Sequence, residues 1–479
     1  MFSKKTLISL IVCLAVVLSL LVGAAAWLIP AGFFGDETTA PTQAQLPTTN
    51  TTDTTGTTGT TAPPTTGTTA PPTTGTTAPP TQPPVEKVSS ATIANVGDFL
   101  MHLPVINTAT VTDGNYDFAN VFTYFGSYVT AADYAVGNLE TTLAGTDNGY
   151  QYSGYPQFNC PDGIVSSLQA AGFDMLLTAN NHTYDTRAIG FYRTQQVMKE
   201  LGMDYLGTVD SLEIPLWQIR EINGIRIGMI CYTYETDANP DKVALNGIPM
   251  SEETKSLIGT FYPYSAEGRE AFYGEMEQQI AQMQEAGAEA VVLYVHWGEE
   301  YQTKQNAAQS EIAQKMCDLG VDVIVGGHPH VVQPMELLTS TIDAAQKTVC
   351  LYSTGNILSN QRIVHMDLKT GHTEDGVLFS FTFAKYSDGT VILESADILP
   401  TWVDLHYNAE TGNNVYSILP LDTAVEDWKN SFLLDDVRLN NAQASYNRTM
   451  AIVGKGLEQV QAYLSQLVAD TEAALGVKP

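Results

Sequence analysis

Positive charge is scarce in this chain. Across 479 residues there are 22 lysines and arginines against 52 aspartates and glutamates, a formal net charge of −30. The acidic residues run through the whole folded part. That excludes nucleic acid as a partner, because affinity for a phosphate backbone is carried by cations. Cysteine is scarce too: Cys13, Cys160, Cys231, Cys317 and Cys350. No two of them have metal-ligand spacing, which argues against a cysteine-held metal centre. Cys231 and Cys350 fall inside apolar strand patterns and read as small buried hydrophobes. A disulfide outside the cytoplasm stays open, but no pairing is specified. Hydrophobic residues are almost absent from residues 36 to 84, so that stretch has no core to build.

The same stretch is rich in Thr, Pro, Gly and Ala. The octet Thr-Thr-Gly-Thr-Thr-Ala-Pro-Pro occurs three times in succession from Thr57 to Pro80. Its Pro-Pro pairs favour extended polyproline II, and it reads as a disordered spacer. Before it, Lys4 and Lys5 precede an uncharged run from Thr6 to Gly35, dense in Leu, Val, Ile and Ala between Leu7 and Pro30. That length suffices for a helix across a bilayer of about 30 Å, whereas a secretory h-region spans roughly 7–15 residues. The small residues Gly23 to Ala26 keep a cleaved signal peptide open as an alternative. Either way the lysines stay inside and the remainder lies outside the cell. The expected organisation is an anchor over 1–35, a spacer over 36–88, a folded domain over 89–400 and a helical extension over 401–479.

Within the folded part, short apolar runs alternate with amphipathic stretches. Ala91–Val96, Tyr134–Val136, Met175–Thr178, Ile225–Tyr232, Ala290–Val295, Val321–Val325 and Thr348–Tyr352 read as strands. Gly163–Ala171, Thr186–Leu201, Glu267–Ala286 and Gln305–Leu319 read as helices. This alternation predicts an α/β layered fold with buried sheets. Ser387-Asp-Gly-Thr390 signals a hairpin.

Open α/β sheets place ligands beyond the carboxyl ends of their strands. The residues found there are chemically alike. Gly97-Asp98 follows the first strand, with His102 farther on. Glu140 follows the second, and Asn180, Asn181, His182 and Asp185 follow the third. His296 ends a fourth, and His328 and His330 follow a glycine pair after a fifth. Carboxylate and imidazole donors together suit two divalent ions, with Mn, Fe or Zn preferred over Ca or Mg. Glu140 is the natural bridge between them, and His182 a general acid for a leaving group.

These segments resemble the capsule-synthesis protein CapA family, also called the poly-γ-glutamate synthesis family, which is related to calcineurin-like metallophosphoesterases. The resembling pieces are Gly97-Asp98, Asn138-Leu-Glu140, Ala179-Asn-Asn-His182 with Asp185, and His296-Trp-Gly298 with Glu300 and Tyr301. Gly327-His-Pro-His-Val-Val-Gln-Pro334 and Tyr352-Ser-Thr-Gly-Asn356 with Gln361 complete them. The resemblance implies a four-layer α/β metallophosphatase-like sandwich, two sheets flanked by helices. It also implies roles. Asp98 and His330 would hold a first ion, Asn181, His296 and His328 a second, and Glu140 both. His182 would be the acid, oriented by Asp185. The chain departs from the wider class in two places. It lacks the opening Asp-x-His, having only the distant His102, and it has Glu140 where an aspartate is usual. Asn180 beside Asn181 leaves the assignment between the two open.

Two functions follow from different classes. One is an extracellular, membrane-anchored metal-dependent hydrolase of phosphoester or amide bonds, serving capsule or other surface-polymer production. The other is a non-catalytic component of a polymer synthesis or export complex. His365, His372 and His406 have no partners in the pattern and read as surface residues.

Overall fold

The computed structural model describes residues 84–477 apart from 240, 241, 410 and 411. The expected anchor and almost all of the spacer lie outside the described residues. Among those described, no helix is long and apolar enough to cross a membrane.

An eight-stranded sheet is laid down first. Strand β1 (Lys87–Phe99) pairs in parallel with β2 (Tyr134–Leu139). Helix α1 (Gly163–Ala171) leads to β3 (Met175–Leu177), and α2 (Arg187–Leu201) to β4 (Asp204–Leu206). Both helices end on a left-handed glycine, Gly172 and Gly202.

The chain then builds a seven-stranded sheet. β5 (Trp217–Ile222) and β6 (Ile225–Tyr234) form a hairpin. A small three-stranded sheet follows: β7 (Thr236–Asn239), β8 (Lys242–Leu245) and β9 (Ile248–Pro249). The larger sheet resumes with β10 (Thr260–Phe261), α3 (Ala266–Glu285), β11 (Ala290–His296), α4 (Ala307–Asp318) and β12 (Val323–Gly327). β13 (Met335–Thr339) and β14 (Lys347–Leu351) close that sheet in the order β10-β6-β11-β12-β14-β13.

The chain next returns to the first sheet. β15 (Asn356–Leu358) joins β1 in parallel, and β16 (Asp375–Tyr386), β17 (Val391–Asn408) and β18 (Asn413–Pro420) add antiparallel strands beyond it. A single helix, α5 (Asp436–Leu475), ends the chain.

Alternation along β1 explains the packing. Ala91 and Ile93 face a core shared with Ile227, Met229, Val292 and Val323 of the second sheet. Ala94 and Val96 face outward, onto a core with Ile164 and Leu168 of α1. The outer side of the second sheet buries Ile230, Tyr232 and Leu293 against Phe272 and Met276 of α3 and Ile312 of α4. Val453, Leu457, Val460 and Leu464 of α5 lie at three- and four-residue intervals and enter the core between the sheets. The result is a mixed α/β, sheet-rich fold.

One expectation needs correction. The predicted boundary at residue 400 falls inside β17, and residues 401–420 are mostly strand. Among the described residues of that region, helix occupies only Trp428–Ser431 and α5. Ionic clamps tie α5 to the sheet. Arg448 donates to both oxygens of Asp375, at 2.7 and 2.6 Å. Arg438 does the same to Asp404, which also receives His406 Nδ1 at 2.9 Å. His372 Nδ1 lies 3.8 Å from Asp375. So His372 and His406, read as surface residues, are half-buried, and each faces a carboxylate. Cys160, Cys231, Cys317 and Cys350 are all buried and free.

Candidate metal centre

The carboxyl ends of β1, β2, β3, β11 and β12 meet at one place. Parallel register brings them level: Asp98 pairs with Asn138 across β1 and β2, and His296 with Gly327 across β11 and β12. The ladder is irregular at Asp98 on both sides, which re-aims its side chain. His328 and His330 both have left-handed backbone, φ 94° and 56°. That conformation costs of order 1–3 kcal/mol per non-glycine residue and persists where surrounding structure imposes it. Gly326 is what lets this turn approach its neighbour: a Cβ there would lie 2.0 Å from the Tyr352 carbonyl oxygen.

The eight predicted site residues are all buried. Asp98 Oδ2 lies 3.2 Å from His330 Nδ1, and Asp98 Oδ1 accepts from Asn138 at 2.8 Å. Glu140 Oε1 lies 3.4 Å from His296 Nε2 and 3.9 Å from His330 Nε2. Asn181 Oδ1 meets His296 Nε2 at 2.8 Å. The His328 ring centroid lies 4.9 Å from that of His296 and 5.8 Å from that of His330. Among the described residues, two sets of donor atoms cluster, each within 4.8 Å: Glu140, His296 and His328, and Asp98, Glu140 and His330. Glu140 belongs to both.

His182 stands beside this cluster. Its Nδ1 lies 2.7 Å from Asp185 Oδ2, which also accepts the Phe158 backbone N–H at 2.6 Å. The Phe158 ring packs edge-on against the imidazole, centroids 4.6 Å apart. Asn180 and Asn181, indistinguishable in the pattern, differ here. Asn180 is spent on structure, donating to Asn138 Oδ1 and the Leu139 carbonyl. His102 is outside both donor sets. Its Nδ1 faces the Leu100 carbonyl and the Asn360 N–H, and burial pushes its pKa down to about 4.

The electrostatics are uneven. Burial drives the His328 pKa well below its usual value, helped by the neighbouring imidazoles. Burial also acts on His330, but the Glu140 and Asp98 carboxylates outweigh it and lift that pKa to about 9. Burial would raise Asp98, yet the hydrogen bond from His330 and the charge of His296 bring it below the usual carboxylate value. Among the residues of the two donor sets, three buried atoms lack any hydrogen-bond partner: both Glu140 oxygens and His328 Nδ1. Leaving such atoms unpaired costs free energy unless something else meets them. They are atoms of the two residue types that ligate mixed oxygen–nitrogen metal sites.

Besides Phe158, three site neighbours escaped the sequence reading. The Tyr234 ring tilts against His328 at 4.5 Å. Asn138, quoted only as part of a motif, supports Asp98. Asn246 touches both Asn181 and His182, at 3.0 and 3.1 Å. The signal for Asn246 was present: Asn-Gly between apolar residues marks a two-residue hairpin turn.

A model of the family described as bacterial capsule synthesis protein PGA_cap matches residues 92–361. The capsule biosynthesis protein CapA of Bacillus anthracis is 28% identical over 317 residues, covering 64% of this chain and 66% of that protein. The PGA biosynthesis protein CapA of Bacillus subtilis (strain 168) is 26% identical over 285 residues, covering 58% and 65%. The chain thus spans just under two thirds of the length of these relatives. A solved structure, a candidate 5′-nucleotidase from Staphylococcus aureus in complex with alpha-ketoglutarate, aligns over 75% of this chain and 58% of that chain. It does so with TM-score 0.37 and 11% identity, too weak a likeness to argue from.

Proposed function

The chain belongs to the bacterial capsule synthesis protein PGA_cap family, and on that premise we propose that it is a metal-dependent hydrolase of the phosphoesterase type, built on a metallophosphatase-like sandwich. It serves production of a capsule, poly-γ-glutamate or another surface polymer. One observation carries this reading: the fully buried Glu140 carboxylate, shared by both donor sets, has no hydrogen-bond partner for either oxygen. The donors fit two divalent ions of the Mn, Fe or Zn kind. Asp98 and His330 would hold one, Asn181, His296 and His328 the other, and Glu140 both. Bound there, such ions supply an activated water and charge stabilisation at the departing oxygen.

The chain's own groups do the rest. Asp185 holds Nδ1 of His182, so Nε2 is the nitrogen left to give a proton to the leaving oxygen. Phe158 fixes the ring from the side and its N–H fixes Asp185. The residues before the fold serve location: residues 1–35 anchor the chain in the cell membrane, and the spacer carries the domain outside.

The test is metal content together with turnover. Full-length protein should carry about two transition-metal ions. It should then hydrolyse a member of a panel of phosphomonoesters, phosphodiesters and γ-glutamyl peptides, the last probing amide chemistry. Metal-free protein from metal-rich medium would sink the reading. Protease added to intact cells should remove the domain; full protection would contradict the outside location.

A second reading, a non-catalytic component of a polymer synthesis complex, draws on His102. Its exclusion leaves the first donor set with only Asp98, Glu140 and His330. Polymer export that survives His182→Ala and His328→Ala together, but not loss of the domain, would select it. A net charge of −30 counts against direct capture of a polyanion.

A further inference from the structure

Asn246 reaches the centre by a route no strand end provides. It sits with Gly247 in the two-residue turn between β8 and β9, where Leu245 pairs with Ile248. Both turn residues have left-handed backbone, φ 47° and 70°, as a type I′ turn demands. The hairpin is rooted, because Leu245 and Ile248 are buried in the core between the sheets. Its exposed tip carries one carboxamide inward.

That carboxamide makes two contacts. Asn246 Oδ1 accepts from Asn181 Nδ2 at 3.0 Å, and Asn246 Nδ2 lies 3.1 Å from His182 Nδ1. Asn181 is the only proposed ligand whose two terminal atoms differ in kind. Its oxygen can hold a cation; its NH2 group cannot. Half a turn about its last bond would exchange them. In the structure Asn181 Oδ1 faces His296 Nε2 at 2.8 Å, and Nδ2 faces away, toward Asn246.

We infer that Asn246 is a positioning residue: by accepting from Asn181 Nδ2 it turns the Asn181 oxygen toward His296 and Glu140 and so sets affinity at the second ion. This rests on the two-ion reading above. It adds a component on the β8–β9 hairpin that acts on an ion it does not touch. Partners of ligands typically change metal affinity by 10- to 100-fold when removed.

The turn allows clean variants. Glycine accepts the left-handed backbone but has no acceptor; aspartate tolerates that backbone and keeps one. The experiment is a calorimetric titration of the metal-stripped full-length chain, in detergent, with Mn2+. Asn246→Gly should weaken one of two binding events by about tenfold or more, with the thermal midpoint of the metal-free protein unchanged. Asn246→Asp should bind nearly as the parent does. Asn181→Asp has two equivalent oxygens and needs no orienting. Adding Asn246→Gly to it should therefore cost no further affinity.

The inference is overturned if Asn246→Gly titrates like the parent. It is also overturned if Asn246→Asp falls as far as the glycine variant, or if the glycine effect persists in the Asn181→Asp background. A parent that binds fewer than two ions defeats the two-ion reading itself. Two ions in the parent with an unaffected glycine variant defeats only the role of Asn246.

Discussion

Two fully or almost fully buried carboxylates, Glu140 and Asp375, have been given opposite surroundings. Asp375, at the start of β16, meets Arg448 of α5 through two hydrogen bonds. Nearby Asp404 and Glu374 are also paired, with Arg438 and with Arg362 and Trp402. Glu140, just past β2, has two imidazoles near one oxygen at 3.4 and 3.9 Å and hydrogen bonds to neither. A buried charge is costly, and a fold that uses one for architecture surrounds it with donors. Where donors are withheld from a carboxylate, and imidazoles and further acceptors are gathered instead, the arrangement suits a cation. The difference lies in the partners, since both residues are equally hidden.

The contrast is broken most completely at Glu140. Glu140→Ala should abolish binding of both ions and reduce hydrolysis to background, read by metal analysis and turnover. Retention of two ions would show that Glu140 is not shared. His182→Ala sharpens the same side. Turnover should fall by about 10²–10⁴, the usual worth of a general acid, while both ions remain. Arg448→Ala tests the architectural side. It strands Asp375 and should destabilise the fold by about 3 kcal/mol in denaturant titration, with ion content unchanged. Loss of ions there would mean the two regions are not separable.

The smallest effect is in pH. The folded pKa of His330, about 9, stands above its ordinary 6.5. In metal-free protein its contribution is therefore fully present below pH 6.5 and is lost as pH rises through 9. The thermal midpoint of chelated protein should decline across that window, and Asp98→Asn should flatten the decline. A midpoint that rises from pH 6.5 to 9 would contradict the assignment.

The strand ends were readable in the sequence because each obeys a short local rule. An apolar run stops, and a metal-ligand residue type follows in the turn, as at Val325 to His330. What was not readable depends on distant pairing. The boundary expected at residue 400 falls inside a strand, because β17 continues through Pro400, whose carbonyl accepts from Leu421. Nothing near Asp375 in the sequence names Arg448, 73 residues away, as its partner. Asn180 and Asn181 were alike until Asn138 claimed the first. Asn246 lies on a hairpin outside both main sheets, so a search confined to strand ends passes over it.

The shared role of Glu140 is open to direct view by anomalous diffraction at the manganese edge, from crystals grown with Mn2+. The account predicts two peaks about 3.5–4 Å apart, one on each side of the Glu140 carboxylate. One peak is bounded by Asp98 and His330, the other by Asn181, His296 and His328. Crystals showing manganese only on exposed carboxylates, with none beside Glu140, would contradict it.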